Sequence, residues 1–100
     1  MGDGDRAREV ASSMISRTTK QFWSLYHALP QEVQVRADRA YELWLRDPRH
    51  PGLQFKRVDP TEPIYSVRIG LSYRALGVLR DDTITWYWIG KHEIYDRLVT

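Results

Sequence analysis

The run of residues 64–98, IYSVRIGLSYRALGVLRDDTITWYWIGKHEIYDRL, constrains the fold more than any other stretch of this chain. Apolar and polar residues alternate in it with a period of two, and the breaks fall at GLS and DD, so it predicts three strands joined by tight turns and followed by a polar tail. In residues 64–69 the alternation sets Tyr65, Val67 and Ile69 on one face and Ile64, Ser66 and Arg68 on the other. Loop parity then decides where the next arginine stands. With Gly70, Leu71 and Ser72 as a three-residue loop, Ile69 pairs with Tyr73 and Arg68 with Arg74, whereas a two-residue loop would set Arg74 opposite the apolar Val67. The odd loop is the better match, and it predicts two guanidiniums side by side. Directly opposed like charges destabilise a sheet by a few tenths of a kcal/mol up to about 1 kcal/mol, which a bound anion would relieve, as would solvent or a nearby carboxylate. Beyond the turn at Asp81 and Asp82, strict alternation puts Ile84, Trp86 and Trp88 on one face and Thr85, Tyr87 and Ile89 on the other, as in a central strand covered on both sides.

Upstream, the period changes to that of helices. Phe22, Leu25, Tyr26 and Leu29 follow i, i+3, i+4, i+7 spacing, which predicts an amphipathic helix over 19–29 with Thr18 or Thr19 as its cap. Pro30 suits the first turn of a second helix, whose buried face is Val33, Ala37, Ala40, Tyr41 and Trp44, with Glu32–Arg36 and Glu42–Arg46 as i, i+4 pairs on the wet side. Pro48 forces that helix to stop by Asp47, and DPRHPG makes a turn in which His50 is an exposed loop residue. Residues 53–58 then alternate as a first strand, ended by the breaker DPTEP at 59–63. The expected architecture is therefore α+β, with two N-terminal helices packed on one side of a four-stranded antiparallel sheet. Residues 14–17 could add a short edge strand, although Met14 would equally suit an internal start. Residues 1–13 hold one strong apolar residue, Val10, and are expected to be a flexible leader to a single domain over 14–100.

A chain of 100 residues supports one core rather than two. It contains no cysteine, so neither a disulfide framework nor a thiolate metal site is available, and no apolar run approaches the roughly 18 residues of a membrane span. Residues 1–13 lack the apolar segment of a signal peptide, and a cytoplasmic location is expected. The net charge of +2 is mild, but its distribution is uneven. Six basic residues (Arg49, Lys56, Arg57, Arg68, Arg74, Arg80) face three acidic ones over 47–80, which places the excess on the sheet and suits a polyanionic or acidic partner.

Most enzymatic motifs are missing. His27, His50 and His92 fall on different elements with no HxxxH spacing, the glycines form no phosphate loop, and there is no GxSxG elbow; no metal and no cofactor are expected. What remains is a cationic sheet with one titratable ring. Metal-independent RNA cleavage needs a group to take the 2′-hydroxyl proton, cations to stabilise the charge on the phosphorane, and a donor for the departing oxygen. Arg68 and Arg74 suit the cationic role, because guanidinium forks grip phosphate oxygens in pairs at any relevant pH. His92 suits proton transfer, with Tyr95 or Lys91 assisting. Lys56 and Arg57 fall on opposite faces of the preceding strand, so one of the two is expected to reach bound RNA.

In order and spacing, YSVRIGLSYRALGVLRDDTITWYWIGKHEIYDRL resembles the C-terminal half of the RelE/ParE superfamily of bacterial toxins: a strand ending in an arginine, a turn, a "YR" strand, a variable hairpin, an apolar strand, then a glycine and a basic or histidine-bearing tail. The upstream RTTKQFWSLYHALPQEVQVRADRAYELWLRDPRHPGLQFKRV is similar to the family's helical hairpin and following strand, so the resemblance spans residues 15–99. It implies a fold like that of small microbial ribonucleases, with the role of toxin in a type II toxin–antitoxin pair, neutralised by a cognate antitoxin. It further implies an endoribonuclease acting on messenger RNA at the ribosome, in which Arg68, Arg74, His92 and Tyr95 are catalytic and Lys56, Arg57 and Lys91 bind RNA. ParE-like members instead poison DNA gyrase, which is the alternative activity, and an inactive antitoxin-binding relic is a third.

Overall fold

The register at residues 70–72 is the one that parity predicts: Ile69 stands opposite Tyr73 and Arg68 opposite Arg74. Gly70 makes the reversal possible by adopting φ +60°, a conformation that costs glycine little. The computed structural model describes residues 7–10 and 13–99. Within them the order is β1 (Arg8–Glu9), β2 (Ile15–Thr18), α1 (Lys20–His27), α2 (Gln31–Arg46), a single 3₁₀ turn (Pro51–Leu53), β3 (Lys56–Arg57), β4 (Ile64–Ile69), β5 (Tyr73–Arg80), β6 (Thr83–Lys91) and α3 (His92–Val99).

The class is α+β as expected, but the sheet has six strands rather than four, in the order β1-β2-β6-β5-β4-β3, and it is mixed rather than antiparallel. The edge strand foreseen at 14–17 exists as β2, and it runs parallel to β6, with Ile15 opposite Thr83 and Thr18 opposite Trp86. Part of the expected leader is also structured. Arg8–Glu9 pairs with β2, and Val10 is buried in the main core; the rest of that stretch lies largely outside the described residues. At the other edge, β3 is shorter than the strand expected over 53–58. Pro51–Leu53 coils into the 3₁₀ turn, capped by His50 Nδ1 accepting from the Gly52 amide at 3.1 Å, and Gln54 takes a left-handed φ of 46°, which delays pairing to Lys56. Asp59 ends the strand by accepting from the Thr61 and Glu62 amides, both at 2.8 Å, and these bonds hold its carboxyl below the usual range.

The helices begin and end for the reasons their sequences give. Thr19 caps α1, its hydroxyl accepting from the Phe22 amide at 3.1 Å, and Pro30 precedes the first turn of α2. Glu42 does not pair with Arg46; its carboxylate meets Arg8 at 3.2 Å, across to β1. Phe22, Tyr26, Ala37, Tyr41 and Trp44 from the two helices bury themselves against Val67, Ile69, Ala75, Ile84 and Trp86 of the sheet. Between helix and sheet lies a buried polar relay. Trp86 Nε1 donates to Ser16 Oγ at 3.2 Å, and Ser16 Oγ and the Tyr41 hydroxyl share a bond of 2.8 Å, with burial raising the Tyr41 phenol above its ordinary range. Ser16 is fully buried, so Ser16→Ala orphans two groups at once. We expect this variant to lose about 1–3 kcal/mol for each buried group left unpaired, measured as a fall in Tm.

One error of parity reorganises the second face. Leu76 stands opposite Trp88 but Gly77 stands opposite Trp86, so Tyr87 is an extra residue in β6, a β-bulge. The bulge falls where β2 has ended, opposite Trp86, and where α1 takes over along β6. Trp86 and Trp88 therefore project to opposite faces, contrary to strict alternation, and Ile89 rejoins the helical side. Trp88 forms a second, smaller core with Leu76 and Tyr95, against which Leu25 of α1 also packs, and it seats α3 on the face away from α2. The helices thus lie on both sides of the sheet.

Candidate functional site

The face that carries α3 is also the face of the arginines. Strand pairing aligns Arg68, Arg74 and Gly90 in one cross-strand row, with Lys56, Ser66, Leu76 and Trp88 in the next. Side chains opposite one another across a sheet project to the same side. Lys56 accordingly shares the face of the two arginines, and Arg57, opposite Tyr65, lies on the other face, where its Nε donates to the Asp59 carbonyl at 3.0 Å. Lys91 stands opposite Tyr73 and is exposed at the end of β6, on the helical side of the register.

Gly90 shapes the row. The indole of Trp88 folds over it, and a Cβ at residue 90 would lie 2.6 Å from Trp88 Cζ2, so any larger residue displaces the ring that closes the small core. Tyr95 is buried beside that indole, and Arg74 places its guanidinium over the tyrosine ring at 5.9 Å from the centroid. His92 also stacks on Tyr95, with centroids 5.5 Å apart and planes 23° from parallel. The His92 amide donates to the Ser72 carbonyl at 2.7 Å, which pins the start of α3 to the β4–β5 turn. Arg74 and His92 thus both contact the Tyr95 ring, and Arg68 stands next to Arg74 in register.

Polar contacts leave this group poorly neutralised. Arg68 Nε donates to the Gly70 carbonyl at 2.9 Å, and Arg74 reaches the Gln54 amide oxygen at 3.4 Å, a long contact. Among the described residues neither arginine has a carboxylate within 4 Å, and His92 Nε2 lies 3.5 Å from Asp96 Oδ2. His92 Nδ1 is buried with no partner among the described residues. Outside the stack, Leu71, Ser72, Tyr73, Lys91, His92 and Glu93 line an open depression of about 420 Å³. Among the described residues no three His, Asp or Glu side chains are grouped so as to hold a metal ion.

Of the residues expected from sequence, Arg68, Arg74, His92, Tyr95 and Lys56 share one face, while Arg57 and Lys91 fall outside it. Two residues near the site had no sequence signal. Gln54 reaches Arg74 because of its left-handed backbone, and Arg36 of α2 comes within 3.7 Å of the position a Cβ would occupy on Gly70.

A helical pair on one face of a sheet and a C-terminal helix on the other make a fold shared with solved RelE-type chains. The chain is similar to a chain of the archaeal RelE–RelB complex from Pyrococcus horikoshii OT3, at 17% identity and a TM-score of 0.60, over 76% of this chain and 91% of that one. It is similarly close to a chain of the RelB–RelE antitoxin–toxin complex from Methanococcus jannaschii, at 20% identity and a TM-score of 0.60, over 80% and 95%. No curated protein matches it at a significant level. The ParE-like toxin domain model matches residues 31–97, and the chain belongs to that family, as a toxin of the RelE/ParE superfamily.

Proposed function

We propose that this toxin is a metal-independent endoribonuclease acting on messenger RNA, with the ribosome-bound message as substrate, and that a cognate antitoxin neutralises it in the cytoplasm. The observation that carries the reading is the in-register pair Arg68–Arg74, without a carboxylate in reach among the described residues, set against the Tyr95–His92 stack. Two guanidiniums held on a sheet grip the non-bridging oxygens of a phosphodiester and favour the extra charge that develops as the 2′-oxygen attacks phosphorus. In that step the 2′-oxygen forms a bond to phosphorus and the bond to the 5′-oxygen breaks, giving a 2′,3′-cyclic phosphate and a 5′-hydroxyl. His92 takes the 2′-hydroxyl proton and returns a proton to the departing 5′-oxygen through Nε2, which gives up its loose 3.5 Å contact with Asp96 to do so, and Tyr95 steadies both the imidazole and Arg74. Lys56 extends the cationic row along the RNA.

Charge elsewhere on the molecule supports approach from this end. The Asp81–Asp82 turn lies at the opposite end of the sheet from Gly70, and its carboxylates steer a polyanion toward the arginine end. The antitoxin follows from the company the fold keeps: both similar structures are toxin–antitoxin complexes. A gyrase-directed activity is the second reading, favoured by the ParE-like family model and by the burial of Tyr95.

Incubation of the purified chain with messenger RNA on translating ribosomes tests the proposal. Fragments ending in 2′,3′-cyclic phosphate are expected; an intact ribosome-bound message would sink it.

A further inference from the structure

We infer that Arg36 of α2 is a third phosphate ligand, recruited from the helical side of the sheet across the Gly70 turn, so that bound RNA rounds the end of the sheet instead of ending at Arg74. The inference rests on the endoribonuclease reading above and extends it to a residue that neither the strand pattern nor the arginine row contains. Three observations converge on Gly70. Arg68 Nε is bonded to its carbonyl at 2.9 Å. Arg36 lies on its other side, with Cδ and Nη1 at 3.6 and 3.7 Å from where a Cβ would stand. The turn itself has no side chain at this residue and carries φ +60°, which leaves the peptide between the two guanidiniums bare.

Glu32, one turn before Arg36 and its expected i, i+4 partner, does not pair with it, and among the described residues no carboxylate lies within 4 Å of Arg36, Arg68, Arg74 or Lys91. Three guanidiniums in such an arrangement repel one another at a cost that a polyanion removes, and adjacent phosphates along one strand are that polyanion. The direction of the track follows from the fold. Arg68 and Arg74 face the α3 side, Arg36 comes from the α2 side, and Lys91, exposed on the helical side of the register, continues the line past the depression at Leu71.

The test is binding of a single-stranded RNA oligonucleotide with 2′-O-methyl groups, which cannot be cleaved by 2′-oxygen attack, to the full chain over a range of salt concentrations. Arg36→Gln is expected to weaken binding roughly tenfold, the worth of one charge-assisted hydrogen bond. It should also flatten the dependence of log affinity on log salt by about 0.7, the share of one phosphate in a single strand. Arg39→Gln, an exposed position on the same helix, should change neither, and unaltered melting of both variants shows that the helix is intact. Wild-type affinity and slope in Arg36→Gln, with weakened binding in Arg68→Gln, overturns the role of Arg36 alone. If the wild-type chain fails to bind the oligonucleotide, the RNA reading falls and this inference with it.

Discussion

Arg74→Ala is expected to slow RNA cleavage by about 10²–10³-fold, the usual loss when one preorganised donor to a developing oxyanion is removed. Its fold should survive. Arg74 is half-buried, its hydrogen bond to Gln54 is long, and its remaining contact is the tyrosine ring below it, a cation–π arrangement of about 0.5–1 kcal/mol. A large kinetic effect with a small shift in Tm therefore separates chemistry from stability. Arg74→Lys sharpens the test, because it keeps the charge and removes the planar fork; activity should fall between the two. Equal activity in all three proteins would show that the arginine row is not where phosphate is held.

The largest effect on folding is expected at Trp86. Its indole is 2% exposed, packs edge-on to Trp44 at 5.2 Å, donates to Ser16, and lies against Gly77, where a Cβ would be only 2.8 Å from Trp86 Cε3. Trp86→Ala removes all of this and should cost about 3–5 kcal/mol, against a total stability of about 5–15 kcal/mol for a domain of ordinary kind. Chemical denaturation is expected to move the midpoint far down or leave no folded baseline. Trp86→Phe keeps a ring against Trp44 and loses the N–H, so its cost should resemble that of a lost hydrogen bond plus a modest cavity. If the two variants were equally stable, the packing described around Trp86 would be wrong.

The contrast between these two residues shows what the chain discloses on reading and what it withholds. The arginine pair was legible because parity is a local property: three residues between two alternating strands leave one arrangement that keeps apolar residues together, and the structure has that register. The same logic failed at Trp88. The extra residue of β6 faces the Leu76–Gly77 step, and an isolated glycine inside a strand is a mark that strict alternation leaves unused. The small core under α3, and with it the burial of Tyr95, followed from that extra residue. The parallel pairing of β2 was hidden, since strands joined through the rest of the fold carry no turn between them to be recognised. Arg36 and Gln54 belong to the same class. Helical spacing puts Arg36 on a wet face, which is correct, and only the packing of α2 on β4 brings that face to Gly70.

These two kinds of legibility meet at the site. The sheet supplies Arg68 and Arg74 through its register, whereas Tyr95 and His92 arrive through a helix seated by Trp88, so the arrangement depends on Gly90 remaining small enough for that indole. The most direct test of the central claim is to induce the chain in growing bacteria and map new 5′ ends across the transcripts, beside a reporter of DNA damage. The account predicts abundant new 5′-hydroxyl ends within coding regions, absent on induction of Arg74→Ala, and a silent reporter. Unbroken transcripts with a strong DNA-damage response would contradict it and assign the toxin to a protein target.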